Sequence, residues 1–266
     1  MPHALTLTLA TWNVNSLRAR LPNLLAWLDK NPVDMLLLQE LKCTEDHFPR
    51  LELEERGYNL AISGQKTFNG VAICSKYPLE DVSRSLPGDA SDMAARYIEA
   101  VVSLKDKALR VASVYVPNGQ EAGSDKFAYK LAFLERLQSH WHQLLTYDEI
   151  AVLGGDFNVA PYPMDVYDPE KLDGSVCYHP EERTRMRALM HLGLMDAFRL
   201  KHPEAREYSW WDYRSGGYQR GHGMRIDHLL LSPEAADHLT DAAIDERPRG
   251  EEKPSDHAPV TATLEL

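Results

Sequence analysis

Polar side chains stand at the ends of several apolar runs in this 266-residue chain. The runs lie within TWNVN (11–15), LLLQELK (36–42), LGGDFNVA (153–160), RIDHLLLS (225–232) and SDHAPV (255–260). Such runs are typical of buried strands, which can bring their terminal side chains to one shared cleft. The polar residues are Asn13, Asn15, Glu40, Asp156, Asn158, Asp227, Asp256 and His257. Hard oxygen ligands with one imidazole suit Mg²⁺ or Mn²⁺ better than zinc or copper, so the sequence predicts a metal-assisted hydrolase of a phosphate ester.

Length and composition favour one large α/β domain over residues 1–266. The chain shows neither a signal-peptide pattern nor an apolar run approaching the roughly 20 residues of a membrane span. We therefore expect a cytoplasmic protein without membrane contact, and we take a monomer as the default oligomeric state. The three cysteines, Cys43, Cys74 and Cys177, are widely spaced and odd in number, which argues against a disulfide framework and a zinc site.

The formal net charge of −11 is unusual for an enzyme that binds nucleic acid. Net charge does not describe the distribution of charge, however, and basic residues occur near the polar strand ends. They are Arg18, Arg20, Lys42, Lys66, Lys126, Lys130, Arg214, Arg220 and Arg225. These cations form either a local basic rim around an acidic floor or ordinary surface charges.

Strand and helix patterns alternate along the chain. Strands are expected at 5–12, 34–39, 96–104, 109–116, 149–155, 225–231 and 257–265, and Asn69-Gly70 predicts a hairpin. Helices are expected to open near Pro22, after an N-cap at Ser124, and at Pro180 with a stop at Gly193. Segment 157–179 should form a long loop over the polar strand ends. Hairpins mixed with strand-helix units favour two mixed sheets packed face to face with helices outside.

Ten strings of the chain resemble, in order, the exonuclease III family of DNA-repair nucleases in the endonuclease-exonuclease-phosphatase superfamily. They are TWNVNSLRAR, LLLQELK, SGQKTFNGVAI, VYVPNG, LGGDFNVAP, DVYDPE, PEER, SWWDYR, RIDHLLLSP and PSDHAPV. The resemblance implies a four-layer α/β sandwich and a divalent metal. It also implies hydrolysis of DNA phosphodiesters at abasic sites, at blocked 3′ ends, or processively from a 3′ end of duplex DNA.

The resemblance also implies roles for the polar residues. Glu40 and Asp256 would coordinate Mg²⁺, for which Mn²⁺ could substitute, and Asn13 would ligate the metal or position a water. Asp227 would fix the tautomer of the His257 ring and raise its basicity. Asp156 would orient or deprotonate the attacking water, or pass a proton to the leaving group.

Further residues would contact the DNA. Asn118 and Asn158 would donate hydrogen bonds to phosphate oxygens, and Tyr115 would place its phenol near the scissile phosphate. Lys126 and Arg225 are expected near the DNA backbone, with surface charge as the alternative interpretation.

Trp210, Met224 and Ile226 would wall the pocket for a flipped-out, baseless sugar. Cys177 lies six residues before Arg183 of PEER, where family members differ in side-chain size. A small residue there should admit an abasic sugar and a bulky one should obstruct it. We therefore expect 3′-end processing and 3′ to 5′ exonuclease activity, with abasic-site incision at a full or reduced rate.

Two alternative functions would require other features in the sequence. A phosphodiesterase of the same fold that acts on lipids or inositol phosphates should carry a secretion signal, a membrane-inserting loop or a specificity domain, and the sequence shows none. A catalytically dead DNA-binding module should lack at least one of Glu40, Asp156, Asp256 and His257, and all four are present.

Overall fold

A computed structural model describes residues 5–105 and 107–266. The strands are β1 Thr6–Asn13, β2 Met35–Gln39, β3 Asn59–Ser63, β4 Val71–Ser75, β5 Leu79–Ser83, β6 Tyr97–Ser103, β7 Ala108–Tyr115, β8 Ala151–Asp156, β9 Met195–Asp196, β10 Trp210–Trp211, β11 Gly223–Met224, β12 Asp227–Leu231, β13 Leu239–Ile244 and β14 Val260–Glu265. The α-helices are α1 Leu17–Lys30, α2 Arg50–Glu54, α3 Asp125–Leu144, α4 Pro169–Leu172, α5 Pro180–Met190, α6 Ala197–Lys201 and α7 Pro233–Ala236.

Two six-stranded sheets form the centre of the molecule. Their strand orders are β13-β14-β1-β2-β4-β3 and β5-β6-β7-β8-β12-β9. Each sheet contains one parallel pair, β1 with β2 and β7 with β8, and its other pairs are antiparallel. The prediction of two mixed sheets is therefore confirmed.

The central strands bury both of their faces. Leu7 and Leu37 of the first sheet share one apolar cluster with Val111 and Val152 of the second, so this cluster fills the space between the sheets. The opposite face of the first sheet packs on α1, and that of the second sheet packs on α3 and α5. The result is the predicted order of layers, with helices outside two central sheets.

The helix signals located α3 and α5 closely. Ser124 accepts a hydrogen bond from the Phe127 amide and caps α3, and α5 begins at Pro180. Helix α1 begins at Leu17, five residues before the predicted start at Pro22. Because Leu17 is fully buried, packing of the first turn outweighs the hydrogen bond that Pro22 cannot donate. Among the described residues, no helix has the length and apolar character needed to span a bilayer.

The hairpin of β3 and β4 has a longer connection than a two-residue turn. Ser63 pairs with Val71, so residues 64–70 form the loop, and Asn69 and Gly70 close it with positive φ angles of 56° and 93°. The predicted loop 157–179 contains the short helix α4 and a 3-10 turn at Pro163–Asp165. The last strand begins at Val260, after the predicted residue 257, because the Ala258 amide bonds instead to the Ser209 carbonyl.

Strands β5 and β13 were not predicted from the sequence. Each is one of the two edge strands of its sheet, and most of its residues are exposed or half-buried. Edge strands need fewer apolar side chains than central strands, so their periodicity is weak.

Gly154 allows the two sheets to approach closely beside the site. A Cβ atom on Gly154 of β8 would lie 2.5 Å from Leu37 Cδ1 of the other sheet and 2.7 Å from Leu229 Cδ2. Neither leucine can move far, because both are buried in the central cluster.

We predict that Gly154→Ala lowers the free energy of unfolding by about 1–3 kcal/mol, the usual cost of overpacking a core. Urea denaturation followed by circular dichroism measures it. Gly250→Ala is the control, since no atom lies within 4 Å of a Cβ placed there. An unchanged midpoint for Gly154→Ala would contradict the close packing of the sheets.

Candidate active site

The predicted polar residues meet at one edge of the two sheets. Asn13 is the last residue of β1 and Glu40 follows β2, while Asp156 ends β8 and Asp227 begins the antiparallel β12. His257 lies just before β14 in the chain. The site therefore draws its side chains from both sheets.

Asn13 connects the first sheet to the second. Its Nδ2 donates to Glu40 Oε1 at 2.9 Å and to Asp156 Oδ2 at 2.8 Å. Asn13 Oδ1 accepts the Asn15 amide at 3.0 Å. Since Asn13 is fully buried and uses its own polar atoms in these bonds, its structural role is to hold the two carboxylates together.

Asp156 is buried at the centre of the site. Its Oδ1 accepts the Asn158 amide at 2.8 Å, and its Oδ2 also accepts Asn158 Nδ2 at 3.2 Å. Burial raises the pKa of Asp156 to about 7, although the charge of His257 opposes this shift. The carboxyl group can therefore exchange a proton near neutral pH.

His257 and Asp227 form the expected pair. His257 Nδ1 lies 2.9 Å from Asp227 Oδ2, and the latter accepts the Ser209 hydroxyl at 2.6 Å. Burial alone would lower the pKa of His257, but the charges of Asp227, Asp156 and Asp256 raise it to about 10. The imidazolium thus stays protonated at neutral pH, with Nε2 3.8 Å from Asp156 Oδ2.

Two carboxylates and one imidazole form a cluster in which the carboxylates can hold a metal ion, because the protonated ring of His257 has no free lone pair. A carboxylate oxygen of Glu40, one of Asp156 and a ring nitrogen of His257 all lie within 4.8 Å of one another. Two carboxylates provide the hard oxygen ligands that Mg²⁺ and Mn²⁺ prefer. The donor set therefore fits a divalent ion. Lys42 Nζ, 2.8 Å from Glu40 Oε2, balances part of its negative charge.

This set differs from the predicted ligands Glu40, Asp256 and Asn13. The two oxygens of Asp256 accept hydrogen bonds from Asn15 Nδ2 at 2.9 Å and Trp210 Nε1 at 3.0 Å. Burial disfavours the charge on Asp256, but His257 and these bonds hold its pKa below the ordinary value. Only Glu40 is common to the predicted ligands and the geometric cluster.

A cavity of about 350 Å³ opens onto Asp156 and His257. All four predicted pocket residues line this cavity, namely Cys177, Trp210, Met224 and Ile226. Val176 also lines it. Cys177 has a φ of 71°, a left-handed conformation that is strained for a residue with a side chain. Trp211, the neighbour of Trp210, is buried in the central core.

The two asparagines at the cavity are linked to each other. Asn158 Nδ2 donates to Val116 O at 3.0 Å and to Asp156. Both N–H groups of this amide are therefore used in hydrogen bonds within the protein, and not in the expected bond to a phosphate oxygen. Asn118 Nδ2 donates to Asn158 Oδ1 at 3.0 Å and lies 3.7 Å from Cys177 Sγ. Because a thiol is a weak acceptor, a phosphate oxygen can replace it on Asn118.

A second cavity, of about 510 Å³, adjoins the first and shares Glu40, Tyr115 and Asn118 with it. Its lining includes the cations Lys42, Arg96 and Lys126. Arg96 stacks 4.8 Å from the Tyr115 ring centroid. Burial raises the pKa of Tyr115 well above its ordinary value, and the charges of Glu40 and Asp156 add to the shift, so its phenol stays neutral. Positive charge is thus concentrated beside the acidic cluster.

Two predicted surface cations are instead buried. Arg225 pairs with Asp165 at 2.8 Å and Asp196 at 2.6 Å. Lys130 is fully buried in an ion pair with Glu182. The prediction that Arg225 contacts the DNA backbone is wrong, because its charge is directed into the protein. Lys130 likewise does not belong to a basic rim.

Sequence reasoning missed Ser209 and Arg96 as members of the site. Ser209 stands directly before the Trp-Trp pair in SWWDYR, so its presence in a matched string was the available signal. Arg96 precedes β6, far along the chain from the polar strand ends. Only the packing of its guanidinium on Tyr115 brings it to the site.

The chain belongs to the Endonuclease/Exonuclease/phosphatase family, whose sequence model matches residues 10–257. Exodeoxyribonuclease III from Haemophilus influenzae is 35% identical over 260 residues, which cover 95% of this chain and 97% of that protein.

Two solved structures are also similar. An AP endonuclease from Archaeoglobus fulgidus is 40% identical with a TM-score of 0.93, and a 3′ phosphatase (NExo) from Neisseria bound to a product DNA hairpin is 43% identical with a TM-score of 0.94. Each comparison covers 98% of this chain and 100% of the other. The predicted exonuclease III resemblance and the predicted phosphodiester-hydrolysing enzyme are thereby confirmed.

We predict that Glu40→Gln weakens Mn²⁺ binding by about tenfold or more, or ~1.4 kcal/mol, because it removes a carboxylate from the cluster. Titration followed by electron paramagnetic resonance of free Mn²⁺ measures this directly, without substrate. The variant Asp256→Asn tests whether Asp256 is a metal ligand. If it lowers Mn²⁺ affinity as much as Glu40→Gln does, Asp256 is one of the ligands, as the sequence predicted.

Proposed function

We propose that the protein is a Mg²⁺-dependent DNA phosphodiesterase of base excision repair. It would act as a 3′ to 5′ exonuclease on double-stranded DNA, clean blocked 3′ ends and incise abasic sites. One observation carries the proposal: the buried Asp156 and His257 open onto the same cavity that Trp210, Met224 and Ile226 wall with apolar surface. This arrangement suits a phosphate whose sugar lacks a stacked base.

The relatives support DNA as the substrate. The names of the three similar proteins describe an exodeoxyribonuclease, an AP endonuclease and a 3′ phosphatase bound to a DNA product. All three are at least 35% identical to this chain over nearly its whole length.

The acidic net charge is compatible with this substrate. Phosphate groups respond to the local field, and Lys42, Arg96 and Lys126 line the cavity beside the reacting groups. With few cations in contact, affinity should rest more on the site than on nonspecific attraction to the backbone.

The residues divide the chemistry between them. His257 turns Nδ1 to Asp227, so its protonated Nε2 faces the cavity and can donate to a non-bridging phosphate oxygen. Asp156, with a pKa of about 7, can accept a proton from the attacking water or return one to the leaving oxygen. Asn118 and the neutral phenol of Tyr115 can donate to the remaining oxygens.

Mg²⁺ held by the Glu40 carboxylate next to Asp156 would offset negative charge on the phosphate and help to polarise the water. Mn²⁺ presents the same preference for oxygen ligands and could substitute. The single domain, the monomeric state and the cytoplasmic location stay predictions from the sequence.

Cleavage of two labelled duplexes tests the proposal, one with an internal abasic-site analogue and one with a recessed 3′ end. We expect cleavage in Mg²⁺, none in EDTA, and a fall of kcat of about 100-fold or more in Asp156→Asn, since a positioned acid-base group contributes that much. Absence of cleavage of both duplexes by the wild-type protein would refute DNA as the substrate.

Cys177→Gly tests the pocket wall separately. Glycine tolerates the left-handed backbone at this position and removes the thiol from the cavity, so folding should be unharmed. We predict that incision at the abasic site rises about tenfold relative to exonuclease activity, equivalent to ~1.4 kcal/mol in the transition state. An unchanged ratio of the two activities in this variant would show that Cys177 does not control access.

A further inference from the structure

A buried ion pair lies behind the two asparagines of the cavity. It joins Lys130 of α3 to Glu182 of α5, and both side chains have no exposed surface. Lys130 Nζ also donates to the carbonyl of Asn158 at 2.7 Å and to that of Asn118 at 3.0 Å. All three ammonium donors are therefore used, two of them by backbone atoms of cavity residues.

The surroundings make the lysine hard to replace. Asn118 and Asn158 belong to loops after β7 and β8, and Lys130 connects the two loops from below. Gly119 has a φ of 91°, and a Cβ atom there would lie 3.1 Å from Lys130 Cδ. The turn that carries Asn118 thus rests directly on the lysine stem.

Stability alone does not explain such a pair. Removing two charges from water is costly, and apolar residues of similar volume often stabilise a protein equally well. The distinctive contribution of Lys130 is geometric, since Asn118 Nδ2 meets Asn158 Oδ1 and Asn158 Nδ2 meets Asp156 Oδ2. The two asparagines thus link the ion pair to the carboxylate, since their backbone carbonyls bind Lys130 and their side-chain amides bind each other and Asp156.

Glu182 extends the connection to the cavity wall. Its second oxygen accepts the His179 amide at 2.9 Å and caps α5. Two residues earlier, the carbonyl of Cys177 accepts the Ala160 amide at 2.8 Å. The pair thereby also orders the segment that brings Cys177 to the cavity.

We propose that Lys130 is a positioning residue of the reaction, which acts through Asn118 and Asn158 to hold the Asn118 amide and Asp156 in place. Glu182 compensates its charge so that it can remain buried. This inference rests on the proposed function, DNA hydrolysis.

The test is a double-mutant cycle on the recessed 3′ duplex under single-turnover conditions. Lys130→Met/Glu182→Gln removes both charges at nearly constant volume and is measured in the wild type and in Asn118→Ala/Asn158→Ala. In the wild type we expect the maximal single-turnover rate to fall about 10–100-fold, with the half-saturating enzyme concentration nearly unchanged. In the asparagine-lacking background the same change should lower the rate less than about threefold.

Equal losses in both backgrounds would overturn the positioning role, as would a loss that only follows the unfolded fraction seen by circular dichroism. If Lys130→Met/Glu182→Gln does not fold, the cycle uses Lys130→Gln/Glu182→Gln, in which the amide at position 130 is one bond shorter than the lysine and no buried charge is left unpaired. An inactive wild-type protein would instead refute the proposed function itself.

Arg136 provides a matched control on the same helix. It pairs with Asp92 at 2.8 Å and donates to the carbonyls of Leu86 and Pro87, so it also joins an ion pair to a distant loop. It lines neither of the two cavities at the site. Arg136→Met, which retains the hydrogen bond from Tyr129 of the second cavity to Asp92, should therefore leave the cleavage rate unchanged in both backgrounds.

Discussion

The hydrogen bonds that cross between the two sheets are the constraint on which the site depends. Asn13 of the first sheet donates to Asp156 of the second, and His257 before β14 pairs with Asp227 of β12. Apolar packing brings the sheets together, and Gly154 permits their close approach at this edge. Buried polar groups are costly without hydrogen-bond partners, and here each sheet supplies partners for the buried polar side chains of the other.

The same burial creates the chemical properties of the site. Asp156 and His257 lie close together, but their pKa values suit different roles. Burial raises the pKa of Asp156 to about 7, and nearby carboxylates raise that of His257 to about 10. One group can therefore move a proton at neutral pH while the other keeps its charge. Buried charges farther out, Lys130 with Glu182 and Arg225 with Asp165, hold the loops around these groups.

Local patterns in the sequence predicted most of the fold. Central strands such as β2 and β8 are continuous apolar runs, and the helices α3 and α5 carry a clear cap or proline start, so both kinds of element are visible within a short window. The edge strands β5 and β13 were missed because their apolar residues do not alternate regularly along the strand. The extent of α1 was misjudged because tertiary burial of Leu17 outweighs the proline signal.

The sequence by itself determined the chemistry of the site, since polar residues that end buried strands must emerge at a sheet edge whatever the details of packing. Glu40, Asp156, Asp227 and His257 were identified in this way. Tertiary structure alone decided which carboxylates lie close enough to share a metal, and which cations face the cavity. Lys130 and Arg225 are buried by partners 52 and 60 residues away in the chain, and Arg96 reaches the site by stacking on Tyr115. The position of a long cationic side chain depends on its ion-pair partners, and a local sequence pattern does not predict partners that are distant in the chain.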